Sequence, residues 1–395
     1  MKPLKPSTLL LGIAAGMSPF GMAIVVPTLE LFAQEFQAPY STIQFIISAY
    51  LFGLATAQPM VGFLSDRIGR RPVMIGGIFL FIFASIMCFV TDNLNTLIAF
   101  RFLQGMGGSV GTVMARAMIR DSMSSGDAAK PLSRVTAVMG MAPMIAPAVG
   151  AFTISLFGDP KGIFIVTLIV GVIILIPVLV RLPETRKAEH VGSMSNELWH
   201  QKYRFLFSSK VFLGSTFIYG FTTGSFFAIL AVGSTVFSID LGIDSTGFGL
   251  IWSCMTVLYA SSAFLSGNLS TTIGLMSIMR IGVLLNLLSG VMFFTFIAIF
   301  GVTLFSVIIP LIFMFFAHGF IVPTSMTKAV SDRPEIAGSS AGLSSALGLV
   351  TGGLFSILSG AIYAGNFLPI SLIVMASTMM CSLSYALVKW GEQSH

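Results

Sequence analysis

The chain has 395 residues, 55% of them hydrophobic and only 9% charged, with a net charge of +6. A soluble domain carries about 25% charged residues, so this chain cannot cover two or three water-exposed domains, which excludes a soluble enzyme or a nucleic-acid-binding module. Its 36 Phe and 40 Gly suit helices in lipid, where Phe faces acyl chains and Gly allows helices to approach closely.

The N-terminus, Met1 to Ser7, sets two lysines before an apolar run, as a signal peptide does. No small-residue cleavage site closes that run and many equally apolar segments follow, so it reads as a retained span. A span needs about 20 mostly apolar residues at a rise of about 1.5 Å each. Runs of that length fall at 8–31, 42–64, 72–91, 95–118, 131–156, 161–182, 210–237, 245–266, 277–299, 302–326, 338–363 and 367–389. Cys88, Cys254 and Cys381 sit inside these runs without metal-ligand spacing. They read as packing residues, not as a disulfide framework or a zinc site.

Twelve spans put both termini on one side. That side receives Lys2, Lys5, Arg67, Arg70, Arg71, Arg120, Lys130, Arg134, Arg186, Lys187, Lys202, Arg204, Lys210, Lys328, Arg333 and Lys389, while Lys161 falls opposite. By the positive-inside rule the basic side is the cytoplasm. The longest polar stretch, 183–209, holds Glu184, Glu189 and Glu197 among its basic residues and divides the chain. It separates an N-terminal bundle, 1–182, from a C-terminal bundle, 210–395, and a short amphipathic helix is expected within it around Leu198 to Phe207.

An internal repeat supports the division. Gly62-Phe-Leu-Ser-Asp-Arg-Ile-Gly69, after the second span, returns as Gly267-Asn-Leu-Ser-Thr-Thr-Ile-Gly274, after the eighth. The expected architecture is an all-α membrane protein of twelve transmembrane helices in two pseudo-symmetric six-helix bundles. In transporters built from such repeats the substrate site lies near the midplane where the halves meet.

The first copy continues through Arg70 and Arg71. Gly62 is expected to permit close helix contact, and Asp66 to accept hydrogen bonds from a neighbouring helix N-terminus and to pair with Arg70. This element resembles the signature loop between helices two and three of the major facilitator superfamily. The resemblance implies that Gly62, Asp66, Arg67, Gly69 and Arg70 form a latch that holds the cytoplasmic face in the outward-facing state. The second copy has Thr271, Thr272 and Leu275 at the positions of Asp66, Arg67 and Arg70, so the latch is expected to be ionic on one side only.

In span four, Arg101-Phe-Leu-Gln104-Gly105 is similar to the R-x-x-Q-G element of the same superfamily. An arginine about 10 Å inside the hydrocarbon is costly and faces a cavity or a partner. The helix continues through Gly107, Gly108 and Gly111 to Arg116, a tail that resembles exporters of the EmrD and Bcr/CflA type. Arg116 is placed at the cytoplasmic mouth of the pathway, or else snorkels to the interface. In span five, Ala142-Pro-Met-Ile-Ala-Pro-Ala-Val-Gly150 resembles the P-x-x-x-P-x-x-G antiporter element. Pro143 and Pro147 remove two amide donors and Gly150 invites close approach, so a helix bend is expected. Ala146 and Ala151 stand where stricter members have Gly. Pro183-Glu-Thr185 fits as well, and the resemblance covers essentially the whole chain.

Exporters of the Bcr/CflA kind often carry an acid before the proline of span one, and Met17 to Pro27 contains none. Glu30 lies beyond Pro27, at the outer end of the expected helix. The polar groups left inside the membrane are Arg101, Gln104 and His318, with Gln44, Arg116 and Arg280 nearer the ends, so the cavity is expected to be net positive. His318 either titrates near physiological pH or stays neutral on a backbone carbonyl. Tyr50, Phe226 and Trp252, on helices that line the cavity in this family, are placed to stack on an amphiphilic substrate.

The resemblance implies a secondary active transporter, not an enzyme, exporting an amphiphilic small molecule by alternating access as a proton antiporter of the multidrug efflux type. The expected substrate contacts are Arg101, Gln104, His318, Tyr50, Phe226, Trp252 and Glu30. No cofactor beyond the coupling proton is expected, and no nucleic acid. The expected setting is a monomer in the lipid bilayer of a bacterial cytoplasmic membrane. The charge inventory leaves open export of an anionic metabolite such as a carboxylate siderophore. The missing acid leaves open a nutrient importer or an uncoupled facilitator.

Overall fold

The computed structural model describes residues 6–122, 129–186, 204, 206–332 and 337–393. Most of the linker, and with it the greater part of the amphipathic helix expected at Leu198 to Phe207, lies outside the described residues. Hydrocarbon offers no partner for N–H and C=O groups, so an apolar run must satisfy its backbone internally and becomes a helix. In chain order these are α1 Thr8–Ala23, α2 Leu29–Glu35, α3 Tyr40–Ile43, α4 Phe45–Ile68, α5 Arg70–Val90, α6 Leu94–Ser122, α7 Ala129–Phe157 and α8 Gly162–Arg181. There follow α9 Lys210–Thr235, α10 Ser245–Ile273, α11 Leu275–Phe300, α12 Leu304–Ser331, α13 Ala337–Ile362 and α14 Leu368–Gln393.

Among the described residues, 11 helical stretches are long and apolar enough to cross a membrane. The remaining expected span is α6. Its 29 residues are ample, but Arg101, Gln104 and the glycines between 105 and 111 dilute its apolar content. The first span also departs from expectation, since it is not one helix over 8–31. α1 stops at Ala23, a 3-10 turn covers Val26–Thr28, and α2 resumes at Leu29. Pro27 has no N–H to offer the Ala23 carbonyl, which breaks the ladder there. Glu30 therefore stands in the first turn of a new helix, half-buried, and does not end an old one.

By its contacts the chain forms two compact units, Met1–Phe32 with Ala49–Asn196, and Ala33–Ser48 with Glu197–His395. The first is organised around α6. A side chain at Gly105 would run into the backbone of Tyr50 in α4, one at Gly107 into that of Phe81 in α5, and one at Gly111 into that of Ala14 in α1. Bare Cα–H surface is thus what lets three helices touch α6 where lipid supplies no hydrophobic drive.

The second unit centres on α9, which is buried along most of its length between α13 and α14. Small residues set the spacing here too, with Gly290 against Thr378 and Gly319 against Tyr259 and Ser262. Hydroxyls supply cross-helix bonds, Ser377 to the Phe221 carbonyl at 2.7 Å and Ser289 to the Pro310 carbonyl at 3.0 Å. The segment Ala33–Ser48 packs in this unit. The Gln44 amide, fully buried, donates to the Ala231 carbonyl and accepts from Ser356 at 3.4 Å, and the Tyr40 hydroxyl lies 3.1 Å from that of Ser234.

The repeat is visible in backbone geometry. Gly69 separates α4 from α5 at φ 108°, and Gly274 separates α10 from α11 at φ 84°. Both occupy the left-handed half of conformational space that favours glycine.

Candidate functional site

Arg101 has no exposed surface. Its Nη1 donates to the Gly21 carbonyl of α1 at 3.1 Å and to Gln104 Oε1 at 2.5 Å. Three residues apart on a helix, Arg101 and Gln104 share a face. Gln104 passes the network on, its Nε2 donating to Ser85 Oγ of α5 at 2.7 Å and to Thr167 Oγ1 of α8 at 3.2 Å. The Tyr50 ring of α4 lies under the guanidinium at 4.3 Å, and its hydroxyl donates to the Ser18 carbonyl of α1 at 2.9 Å. Five helices of the first unit therefore meet at one cation. Arg101, Gln104 and Tyr50, expected to contact a substrate, are each enclosed by protein in this structure. A charge this far from water must find its partners inside the fold.

The signature loop forms a second cluster of the same unit. Arg70 pairs with Asp66 at 2.6 Å, as its spacing implied, and with Asp121 at the end of α6 at 2.9 Å. The α5 N-terminus does have a carboxylate acceptor, but it is Glu184 of Pro183-Glu-Thr185. Glu184 receives the backbone N–H groups of Arg70 at 3.0 Å, Arg71 at 3.1 Å, and Thr185 and Arg186 at 2.9 Å each. Partial burial pushes this carboxyl upward, but the donors from Arg186, Arg70, Arg71 and Thr185 outweigh it and hold the group below the usual carboxylate range. Gly69 is required on two counts, because a Cβ there would stand 2.6 Å from Glu184 Oε2 and its φ is positive. Arg67 lays its guanidinium on the Phe63 ring at 4.2 Å, and its carbonyl accepts from Arg186 at 2.5 Å. The close contact expected of Gly62 is not made, as nothing lies within 4 Å of a Cβ built there. At Gly274 likewise nothing lies within 4 Å.

The second unit gathers the aromatic residues. Phe226 of α9 is half-buried at the centre of a group formed with Trp252 at 5.7 Å, Phe315 at 5.4 Å and His318 at 5.9 Å between ring centroids. Tilted and edge-on pairs of this kind are favoured over face-to-face stacking. His318 Nε2 is 3.5 Å from the Ser225 hydroxyl, so the partner shown is a side chain and not the backbone carbonyl of one of the two alternatives. Phe226, Trp252 and His318 are thus neighbours, although they come from three helices.

The other predicted residues lie apart from these clusters. Arg116 is exposed on α6. α7 continues through Pro143 and Pro147 without interruption, and Gly150 abuts the Ile24 carbonyl and the Pro27 ring, where α1 is broken. Glu184 and Asp121 escaped the sequence reading; the acid between Pro183 and Thr185 was the available signal.

The described geometry can be set beside known proteins. A profile of the Major Facilitator Superfamily matches residues 11–357. An uncharacterized MFS-type transporter, YdgK of Bacillus subtilis, is 28% identical over 377 residues, 95% of this chain and 93% of that protein. A bicyclomycin resistance protein homolog of Haemophilus influenzae is 25% identical over 379 residues, 95% and 94% of the two chains. The multidrug resistance protein MdtL of Shigella dysenteriae is 33% identical over 175 residues, 44% of each. Among solved structures, a D-xylose-proton symporter superimposes with a TM-score of 0.75 at 15% identity, over 95% of this chain and 96% of that one.

Two consequences can be measured. Gln104→Leu deprives Arg101, Ser85 and Thr167 of a partner at once, and a loss of about 1–3 kcal/mol is expected for such buried groups. The purified variant should melt several degrees lower, and an unchanged melting temperature would remove Gln104 from the tie. The Glu184 carboxyl lies below its unfolded value, so its contribution is present above the ordinary carboxylate range and is lost as pH falls through the depressed folded value. At pH 7, Glu184→Gln should therefore lower the exchange protection of the Arg70 and Arg71 amides relative to their intrinsic rates, and acidification through the depressed folded value should lower it in the parent chain.

Proposed function

The chain belongs to the Major Facilitator Superfamily of membrane transporters, and on that premise we propose that it exports neutral amphiphilic molecules from a bacterial cell in exchange for protons. The observation that carries this reading is the contrast between the two clusters. The cation anticipated in the pathway is enclosed, whereas Phe226 is half-buried and offers a ring, with Trp252, Phe315 and His318 buried behind it. A partly exposed ring backed by buried aromatics, with His318 and Ser225 behind it, suits a flat apolar molecule that carries few hydrogen-bonding groups. The full-length relative named for bicyclomycin resistance and the partial one named for multidrug resistance support the same direction. The lysine and arginine asymmetry supports cytoplasmic termini in an inner membrane.

An anionic metabolite such as a carboxylate siderophore loses its expected receptor, because Gly21, Gln104 and the Tyr50 ring already engage the Arg101 guanidinium. An importer has only a resemblance of fold behind it. Proton coupling requires a titratable group, and His318 on α12 is the one this reading proposes.

In everted vesicles acidified by respiration, addition of bicyclomycin or a neutral phenicol should release protons from the lumen. Transport that persists unchanged with a protonophore would overturn antiport. Phe226→Ala should raise KM for a neutral aromatic substrate about tenfold, the value of one lost ring contact of about 1–1.5 kcal/mol. An unaltered KM would move the substrate elsewhere.

A further inference from the structure

The first unit carries a feature that the transport reading does not use. An apolar groove of about 220 Å³ lies between α7 and α8, floored by α1 through Gly16, Met17 and Phe20. α7 and α8 close one end of it where Gly162 meets Thr153 and Phe157. The apolar side chains beside the groove point outward, Met141 at 53%, Ile145 at 49% and Ile173 at 61% exposure. In a chain that spans a membrane such a surface faces acyl chains.

The charges at the groove's other end decide what enters it. Arg134, Val138, Met141 and Ile145 recur at helical spacing and form one stripe of α7, in which Val138, Met141 and Ile145 line the groove and Arg134 is exposed. On α8, Val170 and Ile174 line it and Arg181, on the same stripe, is exposed. The helices are sequential and antiparallel, so both arginines stand at the same end. Each is eleven residues from the innermost lining residue of its helix, about 16 Å along the axis, which is about half the hydrocarbon thickness. Two cations at the interface and an apolar slot one leaflet deep complement an anionic lipid.

We propose that this groove holds one anionic phospholipid of the leaflet at the arginine-rich end, its acyl chain between α7 and α8 and its phosphate between Arg134 and Arg181. The positive-inside rule makes that leaflet the cytoplasmic one, where anionic headgroups attract basic side chains. The proposal requires only membrane insertion, so it stands or falls separately from the export reading.

The test is native mass spectrometry of the full chain, released from detergent containing equal amounts of phosphatidylglycerol and phosphatidylcholine with the same acyl chains. The parent chain should retain one phosphatidylglycerol with a preference of roughly tenfold or more. Arg134→Ala with Arg181→Ala should reduce that preference to near parity while leaving the elution profile and helical dichroism unchanged. Ala142→Phe, which fills the groove, should lower retention of both lipids, and Met141→Phe serves if Ala142→Phe fails to fold. Equal retention of the two lipids by the parent chain, or a preference that survives loss of both arginines, overturns the headgroup assignment. Undiminished retention by a folded groove-filled variant overturns the groove, and equal retention of a neutral detergent assigns it to any lipophile and overturns the proposal.

Discussion

A guanidinium enclosed by protein within a membrane-spanning bundle constrains the first unit more than any other group. Arg101 is fully buried, and leaving such a polar group without its partner costs about 1–3 kcal/mol, more for a charged one. Every helix that supplies a partner is therefore held in register with α6. The Gly21 carbonyl fixes the end of α1, Gln104 relays the tie to α5 and α8 through Ser85 and Thr167, and the Tyr50 ring holds α4. Glycine at 105, 107 and 111 is the necessary complement, because partners a few ångströms away require backbones that nearly touch. Cation and glycines read as separate motifs, but the close packing makes the short hydrogen bonds possible.

The two units secure equivalent turns by different means. After α4 the chain turns at Gly69 and is clamped by Glu184, Asp121 and the arginines between them; after α10 it turns at Gly274, with Leu275 where Arg70 would stand. The backbone bend is thus shared and the ionic clamp is not. Positive-φ glycine is a requirement of the turn itself, while the charges are an addition to one copy of the repeat.

Much of this was legible in the sequence because the signals were local or periodic. Apolar runs mark helices, since lipid leaves the backbone no alternative, and the repeat at Gly62 and Gly267 foretold the paired turns. α6 was legible as a span only by length, as its polar and glycine content is what a hub needs and what a hydropathy count penalises. The break in α1 was written in Pro27, but a proline within an apolar stretch is compatible with a kink or a break, and only the tertiary partners of the freed carbonyls distinguish them. Glu184 was missed because its role depends on the α8 terminus lying beside the α5 N-terminus, more than a hundred residues away in sequence. The enclosure of Arg101 was not legible for the same reason. Sequence shows that a buried cation needs partners, but not whether protein or solute provides them.

That distinction bears on selectivity. A guanidinium presented to a pathway selects anions by charge, whereas one that is fully buried with its Nη1 bonded to Gly21 and Gln104 is an internal support whose influence on a solute passes through the helices it holds. The aromatic group around Phe226 has the opposite character, with large polarizable surfaces, few directional bonds and one polar edge at His318 and Ser225. Contacts of that kind discriminate weakly among molecules of similar size. A first unit braced by hydrogen bonds around one buried cation and a second with an aromatic group partly exposed at Phe226 combine directional with non-directional contacts.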